Sequence, residues 1–483
     1  MSAAMDSDES KGVDLGLDDR KCSVKYMLAL YERLGGEHFT NQDGQRFLCL
    51  KGKGLHRTFG FTSGIAEIIK TAVSAGVVPS RHVRDEFADH VRMLADAAPQ
   101  RVTYVRLGEH EGAIYLDLGD ATWRAVRITP DDWKIVGGDE VPIHFVRSKN
   151  MLPLPEPKRG GNLGRLWSLV NVTDERDRVL LLSWLVAALN PRGPCPGLSI
   201  CGNAGTAKTT ALRFLRGLVD PNATDDRGLP KDEHALAIAA SRNWVLSFDN
   251  LSGVAHWLSD GLCKLTTGGS FGDRTKYSND EETTFKYRRP FLVNGIVEFA
   301  ERPDLAQRCI NVRLSPIKIR RTEADIGAEY ERERPAILGC LLDAVASALA
   351  SPVIPAELPR MADFAAWALR ASQALGHAPA IFLEAYEGNL DESGAAIIDS
   401  DELVPVIQKL LMRNKGSWTG TAAELHTALL QSGSPHALPK GPRAVSAALN
   451  RLEELLHKRC GIAIVRPQRS NKSRNLTLTT SPA

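Results

Sequence analysis

The stretch GLSICGNAGTAKTTALRFL (197–215) constrains this 483-residue chain more than any other part of it. The apolar run Leu198 to Cys201 reads as a buried strand, and Thr209 to Leu218 reads as a helix. Between them, Gly202 and Gly205 permit a tight loop whose backbone N–H groups can wrap around phosphate oxygens. Gly202, Asn203, Ala204, Gly205, Thr206, Ala207, Lys208, Thr209 and Thr210 are therefore all candidate nucleotide contacts. Lys208 places a cation on the β- and γ-phosphates, and the Thr209 hydroxyl is a ligand for Mg²⁺. A nucleoside triphosphate, ATP, with Mg²⁺ is the expected ligand. One position departs from the usual pattern, because Ala207 stands where a glycine is expected before the lysine.

A second apolar, β-rich run (Trp244 to Phe248) ends in Asp249-Asn250, 41 positions after Lys208. A carboxylate at the end of a buried strand next to the phosphate-loop strand can accept from Mg²⁺-bound water, so Asp249 is the second expected metal ligand. A third run, PFLVNGI, puts Asn294 at a strand tip, although Asn-Gly is also an ordinary turn former. Between these runs, Phe271 to Tyr277 and Thr283 to Tyr287 read as strands around the polar turn 278–280. Lys276, Lys286, Arg288 and Arg289 on this hairpin are candidate contacts for nucleic-acid phosphates; a solvated charged hairpin would carry the same residues.

The Ala-Lys-Thr ending of the loop resembles that of the minichromosome-maintenance (MCM) helicases, a branch of the AAA+ ATPases. The resemblance covers about residues 165–350 and implies an α/β core, a parallel sheet flanked by helices. It gives Asp249 the Walker B role and Asn294 the sensor that orients the attacking water. Arg308, in DLAQRCINVRL, becomes an arginine finger directed at a neighbour's ATP. The 271–287 segment is similar to the hairpin that MCM and superfamily 3 helicases project into the ring channel. ERERPAILGCLLDAV (331–345) is similar to the lid helices of viral and phage primase-helicases. The resemblance therefore implies a homo-hexameric ring that hydrolyses ATP to unwind DNA in replication of a phage or mobile element. No primase motif is evident in residues 1–150, so a separate primase is expected.

One feature departs from that family. AAA+ proteins usually follow the Walker B aspartate with a glutamate that polarises water, and this chain has Asn250, whose amide cannot take the proton. Either Asn250 only positions the water and another carboxylate assists, Asp260 and Glu298 being the nearest in sequence, or hydrolysis is slow. The alternative reading is a DNA-binding ATPase switch that assembles under nucleotide control without unwinding. A small-molecule kinase would need neither the Arg308 element nor a DNA-binding unit.

At this length about three domains are expected. Residues 1–20 carry six acids and two bases and read as a disordered acidic tail, followed by an α+β domain over 21–150. Residues 21–100 read as mostly helical, with a Gly-rich basic interruption at 51–64 that reads as a loop or hairpin able to touch phosphate, and 101–137 as a small antiparallel sheet. The Pro/Gly-rich segment 151–162 reads as an exposed linker to the ATPase domain (163–350), and a helical connector (351–400) follows. Residues 401–483 carry a net charge of about +7 and read as three helices with a two-stranded wing, a winged-helix domain. There, Arg443, Asn450, Arg451, Lys458, Arg469, Lys472 and Arg474 are candidate DNA contacts, unless the domain serves protein contacts instead. No apolar run approaches the ~20 residues of a membrane span. The N-terminus has no signal-peptide pattern, and the eight cysteines form no C-x-x-C pair, so a reducing cytoplasm is expected.

Overall fold

The computed structural model describes residues 22–52, 55–224, 228–251, 253–274, 282–295, 302–352, 357–433, 438–466 and 475–480. The acidic tail lies outside them. At the centre is a four-stranded, all-parallel sheet in the order Leu246–Leu251, Phe291–Gly295, Gly197–Cys201, Cys309–Arg313. The strand that ends at Asn294 therefore lies between the phosphate-loop strand and the strand that carries Asp249. This corrects the expectation that the Asp249 strand is the immediate neighbour of the phosphate-loop strand. Every residue of Gly197–Cys201 and Phe291–Gly295 is buried, as parallel strands covered on both faces require.

Helix Glu175–Ala188 explains the chain's most continuous apolar segment. It is capped by Asp174, whose carboxylate accepts from the N–H groups of Arg176 and Asp177, and every residue from Val179 to Ala188 is buried. A helix apolar all round must be covered all round. It packs on strand Cys309–Arg313 and on helices Ala362–Ala371 and Pro379–Ser400.

The N-terminal part begins with three helices, Val24–Arg33, Phe61–Ser74 and Arg81–Ala97, and an antiparallel sheet of Gly36–Thr40, Arg46–Leu50 and Arg57–Gly60. The helices of the expected helical region are present, strand Arg57–Gly60 falls in the segment read as a loop or hairpin, and strands Gly36–Thr40 and Arg46–Leu50 are the part that the helical reading missed. The sheet's first turn is fixed by Asn41, whose Oδ1 accepts from the N–H groups of Asp43 and Gln45. Downstream, the expected antiparallel sheet forms a meander of Leu107–His110, Ala113–Asp117, Ala125–Ile128 and Trp133–Val136.

This meander has no core of its own on its inner face. Leu107, Ile114, Leu116, Val126 and Trp133 join one apolar cluster with Leu198, Leu215, Ile310 and Leu341 of the central region. Segment 151–162, expected to be an exposed linker, is a strap. Leu154 and Pro157 are buried, and backbone hydrogen bonds tie Leu152 N to Pro221 O, Leu154 N to Leu118 O and Lys158 N to Pro335 O. The strap runs so close to helix Glu323–Ala350 that a Cβ at Gly339 would lie 1.9 Å from Lys158 O. A buried ion pair locks the same junction. Arg106 donates to Asp220 Oδ1 at 2.9 Å with side-chain exposures of 0% and 2%, while Asp220 Oδ2 accepts from Trp244 N and Val245 N.

The C-terminal unit contains helices Leu403–Arg413, Ala422–Ser432 and Pro442–Cys460. Its antiparallel sheet has the order Ser417–Thr421, Asn475–Thr480, Ile462–Val465, so one strand beyond the expected wing pair completes it. Thr421 and Glu424 form a reciprocal capping box at the second helix. Leu449, Leu452, Leu455 and Leu478 share an apolar cluster with Leu258, Leu262 and Leu305 of the central region. The unit is thus packed onto the central body. Among the described residues no helix is long and apolar enough to cross a membrane, and all eight cysteines are free thiols.

Candidate nucleotide site and its surroundings

The loop between strand Gly197–Cys201 and helix Lys208–Val219 has the geometry of an anion cradle. Gly202 and Gly205 have φ of +158° and +79°, and a Cβ at Gly202 would meet Thr206 Oγ1 at 2.8 Å. Thr206 braces the loop from inside by donating to Asn203 O at 3.0 Å. Ala207, at the N-cap of the helix, has φ 62° and ψ 38°, the left-handed region in which the usual glycine carries no penalty. Lys208 Nζ donates to the carbonyls of Gly202 at 2.7 Å and Asn203 at 2.9 Å, so its ammonium group is held over the loop.

A chain of polar contacts joins this loop to the two neighbouring strand ends. Thr209 Oγ1 lies 3.1 and 3.2 Å from the two carboxylate oxygens of Asp249. Asn294 Nδ2 donates to Asp249 Oδ1 at 2.5 Å, and Asn294 Oδ1 accepts from Asn250 N–H at 2.6 Å. Asn250 has φ 57°, again left-handed, a conformation that asparagine tolerates better than most residues. A register shift between Phe248 and Leu251 accompanies it. Sequence reasoning selected these four residues one at a time. It did not foresee that Asn294 bridges Asp249 and the Asn250 backbone, because that depends on the strand order. A hydroxyl and a carboxylate in contact at a helix N-terminus are oxygen donors of the kind that would suit a hard cation such as Mg²⁺.

The two sequence-nearest carboxylates do not join this group. Asp260 is paired with Arg302, Oδ1 to Nη1 at 2.6 Å, and Glu298 lies outside the described residues. Arg308, just before strand Cys309–Arg313, donates to Asp304 O at 2.6 Å and approaches Cys263 Sγ at 3.9 Å. None of these partners belongs to the phosphate loop. A cavity of about 1450 Å³ opens beside Gly202 and Asn203, with Asp177, Arg302, Arg313 and Arg451 on its walls. Burial raises the Asp177 carboxyl to about pKa 6, against the stabilising N–H of Arg313.

The hairpin is present as Ser270–Arg274 paired with Glu282–Lys286, and Lys276 lies outside the described residues. Lys286 is exposed and pairs with Ser270, which places it at the base of the hairpin. Two of the expected phosphate contacts need correction. Arg289 is half-buried between Trp244 and Tyr287, 5.2 and 5.3 Å from their ring centres, and donates to Ala240 O; loss of hydration there lowers its pKa to about 10. Arg288 is half-buried and donates to Arg192 O at 2.7 Å. The sequence shows these as two more basic residues of a polar hairpin. In the fold they follow its last strand and anchor it, and Tyr287 adds a hydrogen bond to Asp43 of the N-terminal part at 3.1 Å.

In the C-terminal unit, Arg443 is exposed. Asn450 accepts from Arg466 Nη2 at 2.6 Å. Arg451 is half-buried and faces the cavity beside the phosphate loop, while Lys458 pairs with Asp391 at 2.7 Å. Arg469, Lys472 and Arg474 lie outside the described residues. The long helix therefore sets Arg451 on the wall of that cavity, gives the exposed Lys458 a partner in Asp391, and leaves Arg443 exposed.

Solved structures of similar overall form include the SCCmec type IV Cch active helicase, with a TM-score of 0.49 and 12% identity over 92% of this chain and 93% of that one. The apo A form of the NrS-1 C-terminal region (305–718) gives a TM-score of 0.39 and 11% identity over 94% and 100%. No curated protein sequence matches. Residues 163–394 match the family model of the actinomycete integrative conjugative element replication protein, and residues 404–483 match that of the C-terminal domain of the same protein, RepA. The two matches run consecutively over nearly two thirds of the chain and take in the phosphate loop, the Asp249–Asn294 pair and the C-terminal unit. The chain belongs to the replication-protein family of actinomycete integrative conjugative elements.

Proposed function

We propose that the protein is a P-loop ATP hydrolase of the AAA+ kind, working as a homo-hexameric ring on DNA while its element replicates. The observation that carries the reading is the hydrogen-bonded series Thr209–Asp249–Asn294–Asn250 beside the Lys208 loop. In this reading the loop N–H groups and Lys208 hold the triphosphate. Thr209 and Asp249 hold Mg²⁺, which neutralises charge on the β- and γ-phosphates. Asn250 and Asn294 orient the attacking water. Neither amide is a base, so they position the water without taking its proton. Arg308 serves the loop of a neighbouring subunit, which makes turnover depend on assembly. Single-stranded DNA passes the hairpin in the channel, the C-terminal unit acts as a winged helix on duplex DNA, and a separate primase supplies primers.

Asn250 in place of the usual glutamate favours a second reading, an ATP-controlled switch that binds DNA without unwinding it. DNA-stimulated ATP turnover measured beside fork unwinding separates the two. The motor predicts both activities, with unwinding lost in Lys286→Ala while DNA binding survives. The switch predicts turnover and DNA binding with no fork separated under any loading condition. Arg443→Ala should weaken duplex binding and flatten its salt dependence by about one unit of slope. Lys458→Ala should do less, because Asp391 already holds that ammonium group.

A further inference from the structure

We propose that Arg320 is a second cation for the bound triphosphate, acting in cis on the loop of its own chain. The proposal rests on the nucleotide reading of that loop and adds a contact that the motifs do not contain. Gly205 lies at the middle of the loop with φ +79°, and a Cβ built there would sit 3.2 Å from Arg320 Nη2. The guanidinium is thus packed against the backbone of the phosphate cradle.

The segment that carries it is tethered at both ends, so the position follows from the fold. On one side Leu314 N bonds to Cys201 O, Ser315 N to Asn171 O, and Ser315 Oγ contacts Thr173 Oγ1 at 2.5 Å. On the other, Thr322 caps helix Glu323–Ala350 by accepting from Asp325 N. Only six residues, 316–321, span the two anchors.

The charges around Arg320 leave it for an external anion. The acids nearest to it in sequence have other partners: Glu323 pairs with Arg213 at 2.7 Å, Asp325 accepts from the Thr322 hydroxyl at 2.6 Å, and Glu329 pairs with Arg321 at 2.5 Å and accepts from Ser168 at 2.9 Å. Arg320 itself is exposed and, among the described residues, has no ion pair. It lies against a loop and a helix N-terminus that already carry positive partial charge. A cation in that setting is stabilised by an anion held in the loop. The planar guanidinium fork suits the bidentate oxygens of a phosphoryl group. Lys208 approaches through the carbonyls of Gly202 and Asn203, and Arg320 through Gly205, so the two cations meet the loop at different points.

The test uses the assembled full-length protein, with ATP as the probe. Arg320→Ala should raise the Kd for ATP about tenfold or more, as expected for loss of a charged hydrogen bond. Its unfolding midpoint should stay unchanged, and Arg320→Lys should fall between the two. Subunit mixing then assigns the side of the interface. Arg320→Ala mixed with Lys208→Ala should recover no ATP affinity over Arg320→Ala alone, because every intact Lys208 then sits on a chain that lacks Arg320. Arg308→Ala mixed with Lys208→Ala should instead recover some turnover. Wild-type ATP affinity in Arg320→Ala, or recovery on mixing it with Lys208→Ala, overturns the cis role while leaving the nucleotide reading in place. A wild-type protein that binds no ATP overturns both.

Discussion

Asn294→Asp changes a single donor and nothing of the side chain's shape, so its consequences can be worked through. In the native side chain, Nδ2 donates to Asp249 Oδ1 at 2.5 Å and Oδ1 accepts from Asn250 N–H at 2.6 Å. The substitution keeps the acceptor and removes a charge-assisted donor worth about 1.5–3 kcal/mol. It also sets two carboxylates in contact. Two like charges ~4 Å apart repel by about 4 kcal/mol at an effective dielectric of about 20. That is enough to lift the introduced carboxyl by about 3 pKa units, to near neutrality. Once protonated, it donates to Asp249 again. Turnover should therefore fall about 10- to 100-fold at about pH 8 and recover as the pH is lowered toward 6. Asn294→Ala removes both bonds, leaves the Asn250 N–H without its acceptor, and should lose activity at every pH. The assay is steady-state Mg²⁺-dependent ATP turnover of the three proteins from about pH 6 to 8.5, each variant expressed as a ratio to wild type. A ratio for Asn294→Asp that does not vary with pH, or wild-type turnover in Asn294→Ala, refutes the role assigned to the Asn294 bridge.

Other consequences can be measured independently. Ala207→Gly should retain ATP turnover and gain about 0.5–1 kcal/mol in denaturant unfolding, because glycine relieves the left-handed backbone at φ 62° at some cost in chain entropy; a loss of stability would contradict this. Arg106→Ala should cost about 3–5 kcal/mol, since it strands the buried Asp220 carboxylate, and a loss under about 1 kcal/mol would show that the pair does not lock the junction. His144 is held down to about pKa 4 by burial and by the Arg101 cation. The unfolded chain therefore takes up its proton first, and stability falls as the pH drops from about 6.5 toward 4. With partial solvent exposure this amounts to about 1–2 kcal/mol. Asp177, raised to about 6, works in the opposite sense over part of that range. The signature is thus the pH-dependent difference between wild type and His144→Gln, and a difference that is constant with pH would reject it.

What the sequence revealed was local. An apolar run, two glycines and a lysine define a strand, loop and helix within twenty residues, and the helix Lys208–Val219 starts one residue from the position expected. The bridge from Asn294 to Asp249 was not legible. It joins residues 45 positions apart through a strand order that no local pattern encodes. Arg289 misled for a related reason. It stands in a run of basic residues, and only the packing of Trp244 and Tyr287 around it makes it a half-buried anchor. The sheet at 36–60 was different, because its signal was present. Asp43-Gly44, between Gly36–Thr40 and Arg46–Leu50, is a hairpin signature that the helical reading of the surrounding residues obscured. The strap at 151–162 shows the converse error. Its composition is that of a linker, yet Leu154, Pro157 and three backbone hydrogen bonds hold it to the body.

Whether the 202–210 loop binds and hydrolyses ATP decides between a nucleotide-driven protein and an ordinary strand–loop–helix. The most direct measurement is Mg²⁺-dependent ATP turnover by the purified full-length protein, with and without DNA, alongside Lys208→Ala. Removing Lys208 takes away the ammonium group now held by the Gly202 and Asn203 carbonyls. The account predicts DNA-stimulated turnover in the wild type, and in Lys208→Ala weakened ATP binding with turnover reduced to background. Equal turnover by the two proteins, or no ATP binding by the wild type, would contradict it.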